Sequence, residues 1–195
     1  NAYYSTVLTN SLFSAQKGTS YFAINYGDWV ILGLDSAYNA TSFYLDGRID
    51  DAYQPGFVNP LVQGKNTFLM THHNPMDIVG ATLNTLWTDV VQGCFGGTQP
   101  DVWYWGHVHN GVVYNGSAPT GQTASRCLGN AAIPIGDGYW LDSASGVEYY
   151  THTPLGDTDP NNALRVKNGF AIVEVSSSGI QETFYDQDGN VGWQS

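Results

Sequence analysis

The chain has 195 residues, of which 42% are hydrophobic and 12% charged, and its formal net charge is −11. That is enough apolar material for the core of one ordinary domain and too little charge for a disordered tail. Seventeen acids against six lysines and arginines leave no basic patch for nucleic acid or an anionic membrane surface, and no apolar run approaches the ~20 residues of a membrane span.

The chain opens on "NAYYSTVLTN", without an initiator methionine or a basic-then-apolar leader. A processed chain, or a piece of a longer one, is expected. Residues 21–36, "YFAINYGDWVILGLDS", read as two strands around a tight turn at Tyr26-Gly27-Asp28. The second arm is continuously apolar, as in a strand buried on both faces. Residues 37–65 are loop-rich with room for a short helix. "NTFLMTHH", 66–73, is another apolar strand, ending in two histidines. Leu83, Leu86, Trp87, Val90 and Val91 are spaced as on a helix that stops near Gly93. "DVWYW", 101–105, is a third buried strand, and "GVVYNG" and "SRCLGNAAIPIG" read as further strands. Residues 168–190 read as a hairpin with arms "FAIVEV" and "IQETFYD", closed by "DQDGN". Strands with a helix in the first half and antiparallel β in the second predict a layered α/β sandwich.

Three of these apolar strands end in chemically capable residues: Asp35, His72-His73, and Gly106-His107-Val108-His109. Ligands bind beyond the carboxyl ends of strands in α/β sheets, so strands lying side by side would crowd four histidines and a carboxylate onto one rim. Just past a strand, Gly106 would let the backbone turn so that His107 and His109 diverge toward two neighbouring metals. Neutral imidazole is a common ligand for such ions. A lone histidine is usually an ordinary surface or core residue; a second pair after another strand favours metal. His152 has no motif around it and reads as a surface residue. Trp103, Tyr104 and Trp105 read as core. Cys94 and Cys127 show no zinc-type spacing; they would pair in an oxidising compartment or remain two buried thiols. Sparse lysine, with much Tyr, Gly, Ser, Thr and Asn, favours an extracellular or secreted chain. Asn39 and Asn115 head N-x-S/T patterns, which also arise by chance.

The ordered segments "NAYYS", "SYFAINYGDWVILGLDS", "FLMTHHNP", "WYWGHVHN", "SRCLGNAAIPIG" and "NGFAIVEV…YDQDGN" together resemble the C-terminal half of calcineurin-like metallophosphoesterases, the superfamily that includes purple acid phosphatases. The resemblance covers most of residues 1–195. It implies an αββα layered sandwich with flanking helices, present as its C-terminal portion. By the resemblance, His107 binds one metal and His109 the other, and one histidine of the 72–73 pair joins His107. His72 is the favoured ligand there; alignment on H-x-P instead favours His73, and the remaining histidine would contact substrate or hold a ligand in place. Asp35 would be structural or would support a ligand. Asn110 and Arg126 lie near the site in sequence; substrate or supporting roles compete with plain packing for both.

The family's D-x-H, G-D-x-x-D and G-N-H-[DE] motifs are absent from this sequence. With them go the bridging aspartate, further ligands and the acid that protonates the leaving group. The resemblance therefore implies a separate N-terminal portion as partner, two transition metals (Fe, Mn or Zn) as cofactors, and an enzyme that this chain alone does not complete. Two metals ~3.5–4 Å apart would activate a water against a phosphoester small molecule. Two alternatives stand beside this phosphatase or phosphodiesterase. One is a single zinc on three histidines. The other is a non-catalytic extracellular β-rich module that keeps the fold. Segments 37–65 and 137–165 are the expected specificity loops.

Overall fold

The architecture is that of a computed structural model that describes residues 2–16, 18–42, 45–131, 133, 138–156 and 165–195. The predicted hairpin forms from β1 (Phe22–Tyr26) and β2 (Trp29–Gly33), antiparallel from Phe22↔Gly33 to Tyr26↔Trp29. Its turn holds Gly27 at φ 57°, in the left-handed region that favours glycine. Helix α1 (Tyr53–Val62) crosses over to β3 (Asn66–Thr71), which pairs parallel with β2. Helix α2 (Thr85–Thr88) runs directly into a wider π-helical stretch, Asp89–Cys94, and leads to β4 (Val102–Trp105), parallel to β3. Parallel neighbours require such crossovers.

The second half is mostly antiparallel. Strand β5 (Gly111–Tyr114) pairs with β6 (Ala124–Leu128) and with β7 (Val147–Tyr150), while β6 lies parallel to β4. The result is a mixed α/β chain whose large sheet has seven strands, ordered β1-β2-β3-β4-β6-β5-β7. Strands β8 (Gly169–Ser176), β9 (Gly179–Asp186) and β10 (Val191–Gln194) form a second, three-stranded antiparallel sheet. The four-residue strands β7 and β10 were not expected from sequence; both are too short for a clear alternation. Of the predicted segments, residues 132 and 134–136 of "SRCLGNAAIPIG", residues 43–44 of the first specificity segment and 137 and 157–164 of the second lie outside the described residues.

Period-two alternation explains the continuous apolar runs. Val30, Leu32, Leu69, Trp103 and Trp105 join one core cluster with Val58, Leu86, Val90 and Phe95 from the helical segments. Trp29, Phe68, Val102 and Tyr104 join another, with Phe184 of β9 buried among them and Val173 and Trp193 packed alongside. The central strands are thus buried on both faces, which demands apolar residues at successive positions. Cys94 and Cys127 are buried free thiols, each pushed up to about 12 by burial. Among the described residues, no helix is long and apolar enough to cross a membrane.

One charged group is set between the sheets. Arg126 of β6 donates to Glu182 of β9 through Nε (3.0 Å) and Nη2 (2.8 Å), and the Tyr104 hydroxyl donates to the same carboxylate at 2.7 Å. The Arg126 guanidinium also sits 5.1 Å from the ring centre of Trp193. Burial, and then the charge of Glu182, push the Tyr104 hydroxyl far above the ordinary phenol range, so it stays a donor. Arg126→Met strands the Glu182 carboxylate and is expected to cost about 3–5 kcal/mol in urea unfolding. Arg126→Met with Glu182→Leu should cost clearly less than Arg126→Met alone; an equal or larger cost for the double change would contradict this account of the pair.

Candidate metal centre

The carboxyl ends of β2, β3 and β4 lie level, and backbone bonds carry the pairing one step past the strands. The Leu34 N–H donates to the Met70 carbonyl at 2.9 Å. The His72 carbonyl accepts two donors, Gly106 N–H at 3.1 Å and His107 N–H at 2.7 Å. That shared acceptor draws the two predicted histidine motifs together. Ring centres stand 4.7 Å apart for His72–His73, 5.0 Å for His72–His107 and 4.7 Å for His73–His107. His107 Nδ1 lies 3.1 Å from His72 Nε2, and one ring nitrogen from each of the three residues falls within 4.8 Å of the others.

The two members of the 72–73 pair sit differently. His72 is exposed at the rim, whereas His73 is only 1% exposed. The His73 backbone N–H donates to Ser36 Oγ at 3.1 Å, and its Nδ1 lies 3.0 Å from the same oxygen. Its carbonyl accepts from Thr71 Oγ1 at 2.7 Å, and Thr71 in turn accepts from Trp103 Nε1 at 2.8 Å. Gly47 crosses over the ring so closely that a Cβ there would stand 2.3 Å from His73 Cβ. The loop carrying Gly47 is itself pinned: Arg48 Nε donates to Asp89 at 2.7 Å, and the Ile49 N–H to the same carboxylate at 3.1 Å.

The G-H-V-H turn is shaped by a different glycine from the one expected. A Cβ on Gly106 would meet nothing closer than 3.8 Å, and its φ is not in the left-handed region. On Gly129 a Cβ would stand 2.0 Å from the Val108 carbonyl oxygen and 2.4 Å from that of Gly106. The close approach that needs glycine is therefore on the segment packed against the turn. The Asn110 N–H donates to the Val108 carbonyl at 2.7 Å, and the Gly129 N–H to the Asn110 carbonyl at 3.0 Å. The Cys127 thiol, kept protonated by burial, stands 3.2 Å from the carbonyls of both Val108 and Asn110.

Around this core the other expected residues separate. His107 joins the cluster. His109 is exposed outside it, yet near enough to act electrostatically on His72 and His107. Asn110 is fully buried and turned inward, its Oδ1 accepting the Gly111 N–H at 2.8 Å. Arg126 lies between the sheets with Glu182, not at the rim. Asp35 shapes the loop after β2: its Oδ1 accepts the N–H groups of Ala37 and Tyr38, each at 3.0 Å. Gln54 of α1 bonds both the N–H and the carbonyl of Asp35. His152 is exposed against Tyr150. Ser36 and Asp46 were not singled out from sequence. Asp46 faces His107 closely enough to favour its charged form, a minor influence there. Both sit in or beside a loop whose path the local sequence does not reveal.

The electrostatics favour neutral rings. Desolvation first, then the neighbouring His73 and His109, pull the His72 pKa below the ordinary imidazole value. Desolvation, then His73, His72 and His109, do the same to His107. Neutral imidazole is the form that ligates metal. Two imidazole nitrogens sharing one tetrahedral ion at about 2.0–2.1 Å stand about 3.3 Å apart, and the His72–His107 pair is already at 3.1 Å. An all-imidazole set at this spacing fits a borderline transition ion such as zinc or iron better than calcium or magnesium.

Gly129→Ala should destabilise the chain by more than about 2 kcal/mol, because backbone oxygens cannot give way. Gly106→Ala should change stability by less than about 1 kcal/mol. Chemical denaturation of both variants checks the assignment, and the reverse order would refute it.

No protein-family model and no curated protein sequence matches the chain. Among solved structures it is similar to GAP50, the anchor in the inner membrane complex of Plasmodium. That match has a TM-score of 0.51 and 11% identity, over 90% of this chain and 52% of that one. A second similar structure is the purple acid phosphatase PPD1 from yellow lupin (Lupinus luteus) seeds, with TM-score 0.39 and 15% identity, over 89% of this chain and 32% of that one. The first likeness is one of fold; the second is too distant to carry an argument. The chain spans about half the length of GAP50 and about a third of the lupin enzyme.

Proposed function

We propose that the chain is the C-terminal portion of a metal-dependent phosphoester hydrolase with a metallophosphoesterase-like αββα sandwich. One observation carries the reading: His72 Nε2 and His107 Nδ1 converge to 3.1 Å where two adjacent parallel strands end, with His73 beside them. His72 and His107 hold one transition metal, and His109 reaches a second. A separate N-terminal portion provides the remaining ligands and the group that protonates the leaving alcohol. Such ions supply Lewis acidity toward phosphoryl oxygens. This chain's own contribution is to fix the imidazoles. The doubly accepting His72 carbonyl sets the spacing of the two rings, Gly129 and Cys127 hold the turn, and packing around the rings favours their neutral form. Composition supports an extracellular setting.

A non-catalytic binding module on the same fold is the competing reading. It draws on one fact: among the described residues the only group of three or more potential ligands is this histidine trio, with no carboxylate in it.

Metal analysis and hydrolysis of p-nitrophenyl phosphate and bis-p-nitrophenyl phosphate by the native protein separate the two. The hydrolase reading expects stoichiometric transition metal and turnover of at least one ester. His72→Ala and His107→Ala should each weaken metal binding by more than about 100-fold, beyond the 10–100-fold of indirect supports, while His152→Ala should leave it unchanged. Metal-free native protein with no hydrolysis would overturn the reading.

A further inference from the structure

The loop after β2 and the start of α1 border a cavity of about 610 Å³. That volume falls within the ~300–1,000 Å³ of small-molecule sites. Four of its lining residues are tyrosines: Tyr4, Tyr21, Tyr38 and Tyr53. Tyr4 comes from the short helical stretch Tyr3–Val7, and its hydroxyl donates to Ser20 Oγ at 3.1 Å, which ties that stretch to the residues before β1. The Tyr4 and Tyr38 rings stand 6.4 Å apart at 77°, so they form two nearly perpendicular walls. Tyr21 packs against Phe57 of α1 at 5.1 Å, partly buried on the core. Tyr38 and Tyr53 are 72% and 78% exposed, so their rings are free for a ligand to cover.

The charge in the cavity has one sign. Asp35, Asp50 and Asp51 line it, and among the described residues no lysine, arginine or histidine does. Arg48 comes only within 3.7 Å of Asp50, because its closer ion pair, at 2.7 Å, is with Asp89. Two of the three carboxylates are fixed in place. Asp35 Oδ1 accepts the N–H groups of Ala37 and Tyr38. Asp51 Oδ1 accepts those of Tyr53 and Gln54, and its Oδ2 accepts Gln54 Nε2 at 3.0 Å. Gln54 is only 3% exposed and also bonds the N–H and the carbonyl of Asp35. One buried amide thus joins the two acidic loops into a single wall.

This lining selects a class of ligand. Three carboxylates repel an anion, and a neutral molecule gains nothing from their field. A primary ammonium needs acceptors for its N–H groups, and the oxygens of Asp35 and Asp51 already accept N–H groups of the chain. A quaternary ammonium has no N–H to satisfy. It is attracted by ring faces and by nearby negative charge together, the physics of aromatic recognition of methylated cations. We propose that this cavity binds a small organic cation, with a quaternary ammonium head against the Tyr38 and Tyr53 rings and Asp35, Asp50 and Asp51 supplying the opposing charge. The site is independent of the metal-centre reading, since no histidine lines it and no metal enters the argument.

Calorimetric titration of the native protein with choline, at constant ionic strength held by sodium chloride, tests the site. Choline is expected to bind saturably with a Kd of about 1 mM or tighter. Its uncharged isostere 3,3-dimethylbutan-1-ol has the same shape and should bind more weakly by about tenfold or more. Tyr38→Leu keeps apolar bulk but removes the ring, and should weaken choline about threefold or more. Tyr38→Phe keeps the ring and should leave affinity within about twofold. Asp50→Asn should weaken choline and leave the isostere unchanged. Both side chains are mostly exposed, and an unchanged Tm shows that each variant is folded. Equal affinity for choline and its isostere would make the cavity merely apolar. Full affinity in Tyr38→Leu would remove the ring from the site. Either result overturns the proposal, as does the absence of choline binding to the wild type.

Discussion

One carbonyl oxygen organises the rim of this molecule. The His72 carbonyl accepts the N–H groups of both Gly106 and His107, tying the ends of β3 and β4 together just where each strand stops being a strand. The bond works only because the parallel register beneath it pairs Thr71 with Trp105. A slip of one residue would turn every side chain of a strand to the opposite face. Such a slip would send Leu69 and Trp103 out of their core and break the His72–His107 approach together. The geometry of the site is thus guarded by the burial of the sheet.

That burial has two faces of different character. Toward the helices the sheet meets an apolar layer around Leu32, Leu69 and Trp103. Toward the three-stranded sheet the apolar layer encloses the Arg126–Glu182 pair, with the Tyr104 hydroxyl completing the carboxylate's partners. A buried pair of this kind contributes little net stability against an apolar replacement, but it punishes any packing that leaves one partner alone. With Tyr104 of β4, the pair from β6 and β9 pins the small sheet to the large one in one arrangement.

Much of the fold was legible because its signals are local. Apolar runs at 29–34, 68–70 and 102–105 mark strands covered on both sides, and they are the adjacent parallel strands of the sheet. The helical spacing from Leu86 to Val91 falls on α2 and its π-helical continuation, whereas Leu83 lies before the helix, in an isolated bridge to Met76. The site was legible in part. His72, His73 and His107 do meet, since strand ends that run parallel and level must bring their next residues together. His109 lies outside the trio, past the reversal of the backbone at Val108–Asn110, as a residue expected on a neighbouring ion would. Arg126 and Asn110 were judged by nearness in sequence, yet alternation along β6 turns Arg126 to the inter-sheet layer and the same reversal turns Asn110 into the core.

The sequence by itself determined the strands, the helical crossovers and the residue types at the strand ends, because burial on two faces and period-two geometry leave a direct imprint on local composition. Only the tertiary structure decided which glycine the turn requires, which histidine is clamped and what clamps it. Gly129, Gly47 and Ser36 act on residues 21, 26 and 37 positions away respectively, Gly129 through Val108, Gly47 and Ser36 through His73. Nothing in the residues flanking them records that approach. Contacts made by close approach of distant backbone depend on how the loops are routed over the sheet, and that route exists only once the strands have paired.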